Sequence, residues 1–261
     1  VFMTKLQYAV ITVAVLLLLV LRFGCETKAP KMKSLEKSRS LLAQNTDINV
    51  LLPAAKDSLA ANDLALVEAL EEEFARQTTD TTKVTVLKRL AGEWYSLGNA
   101  VISGHYAQQI AELLNTEESW SIAGTTFALA LQKLSDPVVR EFAASRATKA
   151  FENAISINPD ELAHKINLAL VYTDNPPQDN PMKGILMLRE LNDSNPDNPA
   201  ILLQLGRLAM RTNQLERAVE RLERAFQLDP SLIEAACMLA EAYAGLGNKE
   251  KSDSFAQQCE Q

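Results

Sequence analysis

The chain has 261 residues, of which 47% are hydrophobic and 6% aromatic, so it is long enough to bury a continuous core. Its formal net charge of −7 gives no general case for nucleic-acid binding. Cys25, Cys237 and Cys259 do not make a disulfide framework in a chain of this length, and two histidines are too few for a histidine-rich metal site.

An apolar run near the amino terminus, Tyr8 to Leu21, predicts a membrane segment within residues 1–25. A helix over this run would be about 21 Å long, against a bilayer core of about 30 Å. One interpretation is an uncleaved single-span anchor, and another is a secretory signal that ends at Cys25. Gly24-Cys25 resembles the cleavage site of bacterial lipoproteins, which implies that Cys25 carries the lipid. A buried helix of a soluble domain is a third interpretation, disfavoured because the run is not amphipathic.

A polar linker is predicted for residues 26–49, and its charges leave the orientation open. The basic residues that follow the apolar run are Lys28, Lys31, Lys33, Lys37 and Arg39. The positive-inside rule places the rest of an uncleaved chain in the cytoplasm. A lipoprotein would instead be periplasmic. We therefore expect a protein anchored to a bacterial membrane, in the inner membrane or cell envelope, with the side of the membrane undecided.

Entry helices are predicted for residues 50–82. An apolar stripe at helical spacing runs through Leu59, Leu64, Val67, Leu70 and Phe74. The segment TTDTT at residues 78–82 is rich in residues that cap helices, which predicts a break before the next helix.

A period of 34 residues organises the carboxyl-terminal half. Pro196 and Pro230 are 34 residues apart, as are Gly206 and Ala240. Between the two prolines, apolar residues recur at helical spacing on either side of a polar break at residues 212–214. This pattern predicts helix hairpins that stack into an array, because one hairpin cannot bury its apolar face alone.

The small and large residues of this unit carry a family resemblance. The residues concerned are Leu205, Gly206, Ala218, Leu222, Ala225 and Pro230. With these residues the chain resembles the tetratricopeptide repeat family. The resemblance implies an all-α fold, a right-handed α-solenoid of helix hairpins, here with an N-terminal membrane-anchor helix. It assigns residues 83–261 to about five units, of which the first, residues 83–115, is degenerate.

Two segments depart from the regular unit. Residues 135–145 add 11 residues to the second unit, and residues 174–181 add three to the third. The first insertion is predicted either to extend the helices or to project as a loop. Insertions in repeat arrays fall on one face, often the binding face.

Chemistry-bearing motifs are missing from the sequence. It holds no phosphate-binding loop, zinc-ligand spacing or nucleotide fingerprint, so we predict no catalytic residue, no cofactor and no metal. Trp94 and Trp120 are predicted to lie in the core, and His164 on the surface. Cys237 and Cys259 are predicted to be small packing residues rather than a redox pair.

The resemblance also implies a binding surface, because the first helices of tetratricopeptide hairpins line a concave groove that holds peptides or helices. Transferring that register predicts a groove lined by Ile166, Asn167, Leu170, Leu203, Gln204, Arg207, Met210, Arg211 and Glu241. The clamp with which some members hold a terminal carboxylate is missing. The groove suits an amphipathic helix or an extended segment with an acidic residue. The alternative is that Arg207 and Arg211 are ordinary solvated charges.

These features predict a non-enzymatic protein-interaction scaffold tethered to a bacterial membrane, with an unknown protein partner and no nucleic acid. The alternative function is an accessory or regulatory subunit of a membrane enzyme or assembly complex, such as one for cytochrome c maturation. Self-association through the last helix is a further expectation, because no polar capping helix follows the final unit.

Overall fold

The computed structural model describes residues 47–260, and this part of the chain consists of twelve α-helices without a strand. The helices are α1 (Ile48–Asp57), α2 (Ala61–Ala75), α3 (Asp80–Ser96), α4 (Ala100–Leu114), α5 (Glu117–Leu131), α6 (Pro137–Ile157), α7 (Leu162–Asp174), α8 (Lys183–Ser194), α9 (Pro199–Arg211), α10 (Leu215–Leu228), α11 (Ile233–Gly245) and α12 (Lys249–Cys259). From α3 onward, consecutive helices pack in pairs, α3 with α4 through α11 with α12. The all-α repeat fold predicted from the 34-residue period is confirmed.

The core runs through the array as overlapping clusters of buried side chains. One cluster joins α2 to α4, a second joins α4 to α6, and a third joins α4 to α7. Two more join α7 to α9 and α9 to α11. Trp94, Phe127, Phe151, Leu188 and Leu222 are among its fully buried side chains. Each such side chain stabilises the fold by roughly 1.5–3 kcal/mol relative to an exposed one.

The two tryptophans lie where they were predicted. Trp94 is buried within the cluster of α2 to α4, and Trp120 within that of α4 to α6. Large side chains at these positions fill the space between neighbouring hairpins.

Local sequence fixes where the helices begin and where the hairpins turn. The side chain of Thr116 caps α5 by accepting a hydrogen bond from the Ser119 amide, and Asn198 caps α9 through the Ile201 amide. At the turns of the last two hairpins, Asn213 and Gly247 have φ values of 54° and 75°. These residues are one period apart, and both are types that adopt the left-handed conformation readily. The repeat in sequence is therefore a repeat of backbone conformation.

Small residues set the distance between the helices of a hairpin. A Cβ atom on Gly206 would lie 2.6 Å from the side chain of Leu222 in the partner helix. On Gly184, at the start of α8, it would lie 2.4 Å from the carbonyl oxygen of Ala169 in α7. Close approach of the paired helices therefore requires the small residues that the repeat pattern places there.

The 11-residue insertion extends a helix. Its residues from Pro137 onward form the first turns of α6, which is 21 residues long. Asp136 caps this helix by accepting hydrogen bonds from the amides of Val138 and Val139. Arg140 then donates to the carbonyl oxygen of Leu131, the last residue of α5, to that of Leu134 in the turn that follows, and to that of Asp174 at 2.9 Å. One side chain of the insertion thus satisfies the carboxyl-terminal ends of two neighbouring helices.

His164 is buried, with 5% of its surface exposed, so the prediction that it lies on the surface is wrong. Its Nε2 atom lies 2.7 Å from Oε1 of Glu117 at the start of α5. The amide of Asn158, which ends α6, donates to the other carboxylate oxygen at 2.9 Å. His164 is therefore covered by a polar junction of three helices that adjacent hairpins create.

Cys237 and Cys259 form a disulfide, which corrects their interpretation as packing residues. Their Cα atoms are 4.8 Å apart and 22 residues separate them in sequence. They face each other because Cys237 is in the first helix of the last hairpin and Cys259 is the final residue of the second. The hairpin geometry brings them together, although their spacing in sequence carries no such signal.

The predicted anchor or signal at residues 1–25, the lipidation of Cys25 and nearly all of the linker lie outside the described residues. Among the helices between residues 47 and 260, none has the length and apolar content that crossing a membrane would need.

Candidate functional site

The first helices of four consecutive hairpins, α3, α5, α7 and α9, contribute to one surface, here called the first-helix face. In tetratricopeptide arrays this is the concave face. Two cavities lie on it, on either side of α5. One is between α3 and α5 with α4 beneath, and the other is between α5, α7 and α9.

The cavity between α3 and α5 is mostly apolar and has a volume of about 460 Å³. Tyr95 of α3 and Ile122 of α5 line it, with 58% and 53% of their surfaces exposed. Leu129, seven residues after Ile122 on the same face of α5, is 40% exposed and lines the second cavity. Apolar side chains that are grouped and exposed in this way are typical of interaction surfaces.

The second cavity is smaller, about 160 Å³, and its lining is more polar than that of the first. Five of the residues predicted for the groove line it: Asn167, Leu170, Gln204, Arg207 and Arg211. Phe151 and Val171 lie beneath, from the core. The described structure therefore brings together residues of α5, α7 and α9 that are far apart in sequence.

The other predicted groove residues lie elsewhere. Ile166 and Leu203 are buried, with 6% and 5% exposure, and belong to core clusters. Met210 is half-buried and packs against the cluster of α9 to α11. Glu241 is exposed on α11, outside the lining of the second cavity. Direct contact with a partner is thus open to Glu241 and Met210 but not to the two core residues.

Both groove arginines already have acidic neighbours. Arg207 pairs with Glu234 at the start of α11, and Arg211 Nη1 lies 3.1 Å from Asp174 Oδ1 at the end of α7. These ion pairs are solvent-exposed, and such pairs contribute only about 0–1 kcal/mol each. A carboxylate from a partner could therefore replace Asp174 or Glu234 at little cost.

Gln204 lines the second cavity. Its Oε1 atom is buried, and among residues 47–260 it has no hydrogen-bond partner. Buried polar atoms are nearly always paired, because an unpaired one costs about 1–3 kcal/mol.

Tyr95, Ile122 and Leu129 were missed from the sequence. Tyr95 belongs to the degenerate first unit, where the register is hardest to assign. Ile122 and Leu129 follow each other at a seven-residue spacing, offset from the core stripe of Ala123 and Phe127. A second apolar stripe on one helix indicates a surface that the core does not cover, and this pattern could have identified Ile122 and Leu129.

Groups with perturbed pKa values lie away from these cavities and join helices to one another. The pKa of Glu117 is lowered by its hydrogen bonds with Asn158 and then with His164. That of Glu223 is lowered first by the hydrogen bond from Tyr243 of the next hairpin. Within the described ranges, no group of three or more His, Cys, Asp and Glu residues could hold a metal ion.

Comparison with known proteins identifies the repeats. Residues 183–226 match one family model described as a tetratricopeptide repeat, and residues 233–261 match another. No curated protein matches the chain in sequence.

Solved structures resemble the chain at low sequence identity. MamA, residues 41 to the end, from Desulfovibrio magneticus RS-1 has 15% identity and a TM-score of 0.43, covering 67% of this chain and 92% of that one. TTC0263, described as a thermophilic TPR protein from Thermus thermophilus, has 16% identity and a TM-score of 0.49, covering 67% and 89%. Residues 183–226 and 233–261 are therefore tetratricopeptide repeats, and the helix hairpins that precede them have the same all-α repeat architecture.

Proposed function

We propose that this protein is a non-enzymatic scaffold that binds a helical or extended protein segment along its first-helix face. Tetratricopeptide repeats support protein–protein interaction in general. The observation that carries the finer proposal is the set of exposed apolar side chains, Tyr95, Ile122 and Leu129, which continues into the cavity of Arg207 and Arg211.

The chemistry of this face defines the segment that fits it. Apolar side chains of the segment would cover Tyr95, Ile122 and Leu129, removing exposed apolar surface from water. An acidic side chain further along would displace Asp174 or Glu234 from its arginine. An amphipathic helix with one acidic end, or an extended segment of that composition, provides both groups.

Site-specific photo-cross-linking tests the location of binding. A photoreactive phenylalanine is placed at Ile122, or at Leu186 as the control, and cells that make the protein are irradiated. Leu186 is matched in exposure, 49% against 53%, but lies on α8, a second helix of its hairpin. We expect discrete protein adducts, identified by mass spectrometry, from position 122 and not from position 186. Equal adducts at both positions, or none at 122, would contradict the proposal.

The arginines need neutral substitutions in such a test. Arg207→Gln with Arg211→Gln removes both charges without placing a new carboxylate beside Glu234 and Asp174. We expect the double variant to keep the melting curve of the wild type and to lose the adduct at position 122. If the adduct persists, these arginines are only solvated charges.

An accessory or regulatory subunit of a membrane enzyme or assembly complex, such as one for cytochrome c maturation, is the second candidate function. Its support is architectural analogy alone. Purification of the cross-linked partner separates the two. A single stoichiometric enzyme partner favours the subunit, whereas many unfolded clients favour the scaffold.

We also propose that the array is tethered to a bacterial membrane through residues 1–25, on its oxidising side. The apolar run from Tyr8 to Leu21 and the Gly24-Cys25 pair support the tether. The Cys237–Cys259 disulfide supports a location on the oxidising side of the membrane, because disulfides persist mainly in oxidising compartments. The mass of the mature amino terminus tests this proposal: an acylated Cys25 agrees with it. Recovery of the chain from the cytosolic fraction with reduced cysteines would contradict it.

A further inference from the structure

The last helix, α12, is held to the array by very little apolar contact. None of its residues is buried, whereas the corresponding helix of the preceding hairpin, α10, buries Ala218, Leu222 and Ala225. Its sequence explains this, because Lys249 to Ser254 are all charged or hydroxyl-bearing residues. Elements with few buried contacts open locally at low free energy.

A short set of noncovalent contacts holds α12. The ring of Phe255 stacks on Tyr243 at 5.9 Å and meets Phe226 edge-on at 6.1 Å. Ser252 Oγ donates to the Ala240 carbonyl oxygen at 2.9 Å. Lys251 donates to the Tyr243 hydroxyl at 2.8 Å and pairs with Glu223. Only the Lys251–Glu223 pair is exposed, and the two hydrogen bonds are part-buried, so each polar contact contributes modestly to stability.

The disulfide adds a covalent link at the far end of the helix. Cys259 is the last residue of α12, while the turn at Asn248 already ties its other end to α11. The helix is therefore fixed at both ends and cannot fray from its carboxyl terminus. Both cysteines are only half-buried, so the disulfide lies at the edge of the hairpin and not in its core.

We propose that the Cys237–Cys259 disulfide is a redox-controlled latch that keeps α12 on the array and releases it when reduced. The reductant is a dithiol. One of its thiolates attacks a sulfur of the disulfide, forms a mixed disulfide and displaces the other cysteine, which takes up a proton. Its second thiol then displaces the remaining cysteine. Two electrons pass to the protein, which holds two thiols, and the dithiol becomes a disulfide.

Release of α12 changes the surface of the last described hairpin. Phe226 and Tyr243 lose the ring of Phe255 that covers them, and the face of α11 towards α12 becomes open. This aromatic surface is therefore covered by a polar helix in the oxidised protein and exposed in the reduced protein. The latch is independent of the first-helix face, since α12 lines neither of its cavities.

Hydrogen exchange of the full chain tests the latch. Peptides covering residues 249–259 are followed by mass spectrometry, with and without dithiothreitol. We expect their exchange to become about tenfold faster or more on reduction, as for a helix that has lost its tether. Peptides from α9 and α10 should be unchanged, which shows that the array itself stays folded.

The double variant Cys237→Ser with Cys259→Ser is the matched control. It keeps Cys25, so its only loss is the latch. We expect fast exchange in α12 before any treatment and no response to dithiothreitol. The proposal is overturned if α12 exchanges equally in oxidised and reduced protein, or if α9 and α10 loosen with it. Alkylation of both Cys237 and Cys259 in protein denatured without reductant would also overturn it.

Discussion

At the scale of single residues, the space left by small side chains decides how closely helices approach. Gly184 is the most restricted case, because the atoms facing its missing Cβ include backbone atoms. The Ala169 oxygen would lie at 2.4 Å and the Thr173 nitrogen at 2.7 Å. A side chain can rotate away from a new methyl group, but the backbone of a packed helix cannot.

Gly184→Ala is therefore expected to lower the free energy of unfolding by about 1–3 kcal/mol, as overpacking does. Urea unfolding followed by circular dichroism measures this. Gly92→Ala is the control, because no atom lies within 4 Å of a Cβ there and Gly92 is inside α3. That change should raise stability by roughly 0.5–1 kcal/mol. A neutral Gly184→Ala would show that α7 and α8 can separate freely.

Glu117 predicts a pH dependence at the junction of α5, α6 and α7. Its pKa is lowered from the usual 4.5 by hydrogen bonds, first with Asn158 and then with His164. A carboxyl group whose folded pKa is lowered stabilises the fold above its unfolded pKa. That contribution is lost as the pH falls through the folded pKa.

Glu117→Gln should thus be less stable than the wild type at neutral pH. The difference should shrink as the pH falls below about 4.5, where the unfolded chain takes up a proton. Urea midpoints between about pH 7 and pH 3 measure it. Glu118→Gln, one residue away in the same helical turn, has no such hydrogen bonds among the described residues and is the control. A constant difference across the whole range would contradict this account.

At the scale of elements, the extended start of α6 is the part of the array that departs most from the repeat. A regular unit would not contain Arg140, which lies in the 11-residue insertion. This side chain donates to three carbonyl oxygens, two at and just after the end of α5 and one at the end of α7, and so ties the second hairpin to the third. The insertion therefore acts as an inter-repeat link.

Arg140→Ala is expected to lower the free energy of unfolding by about 1–3 kcal/mol, because the carbonyl groups lose charged donors. Chemical unfolding measures the change. Lys149→Ala, at an exposed position on the same helix, should be within about 0.5 kcal/mol of the wild type. Equal effects of the two substitutions would mean that Arg140 has no linking role.

At the scale of the whole molecule, stability is shared between neighbours, since each hairpin contacts mainly those beside it. The middle hairpins have neighbours on both sides, and α5 and α6 bury residues against both. In contrast, α1 has no buried residue. Protection should therefore be unequal along the array.

We expect amide exchange in α1 to be faster than in α5 and α6 by an order of magnitude or more, because local opening there breaks few buried contacts. Hydrogen-exchange mass spectrometry of the full chain measures both regions at once. Uniform protection from α1 to α6 would indicate one cooperative unit in place of nearest-neighbour coupling.

The 34-residue period determined the fold by itself. The spacing of residues along a helix decides which of them share a face. Small residues such as Gly206 and Ala218 on that face allow the partner helix to pack closely. The same register gave all nine predicted groove residues, of which five line the second cavity. For the 11-residue insertion the sequence did not distinguish a longer helix from a loop, because its residues are compatible with both.

Only the tertiary structure decided what neighbouring hairpins do to one another. The surroundings of His164 come from Glu117 and Asn158, on other helices. The Cys237–Cys259 disulfide depends on how the two helices of the last hairpin pack. Tyr95 and Ile122 are exposed because no neighbouring helix covers them. Periodicity in sequence reports which face of a helix is apolar. It does not report what covers that face, because this depends on contacts between residues far apart in the chain.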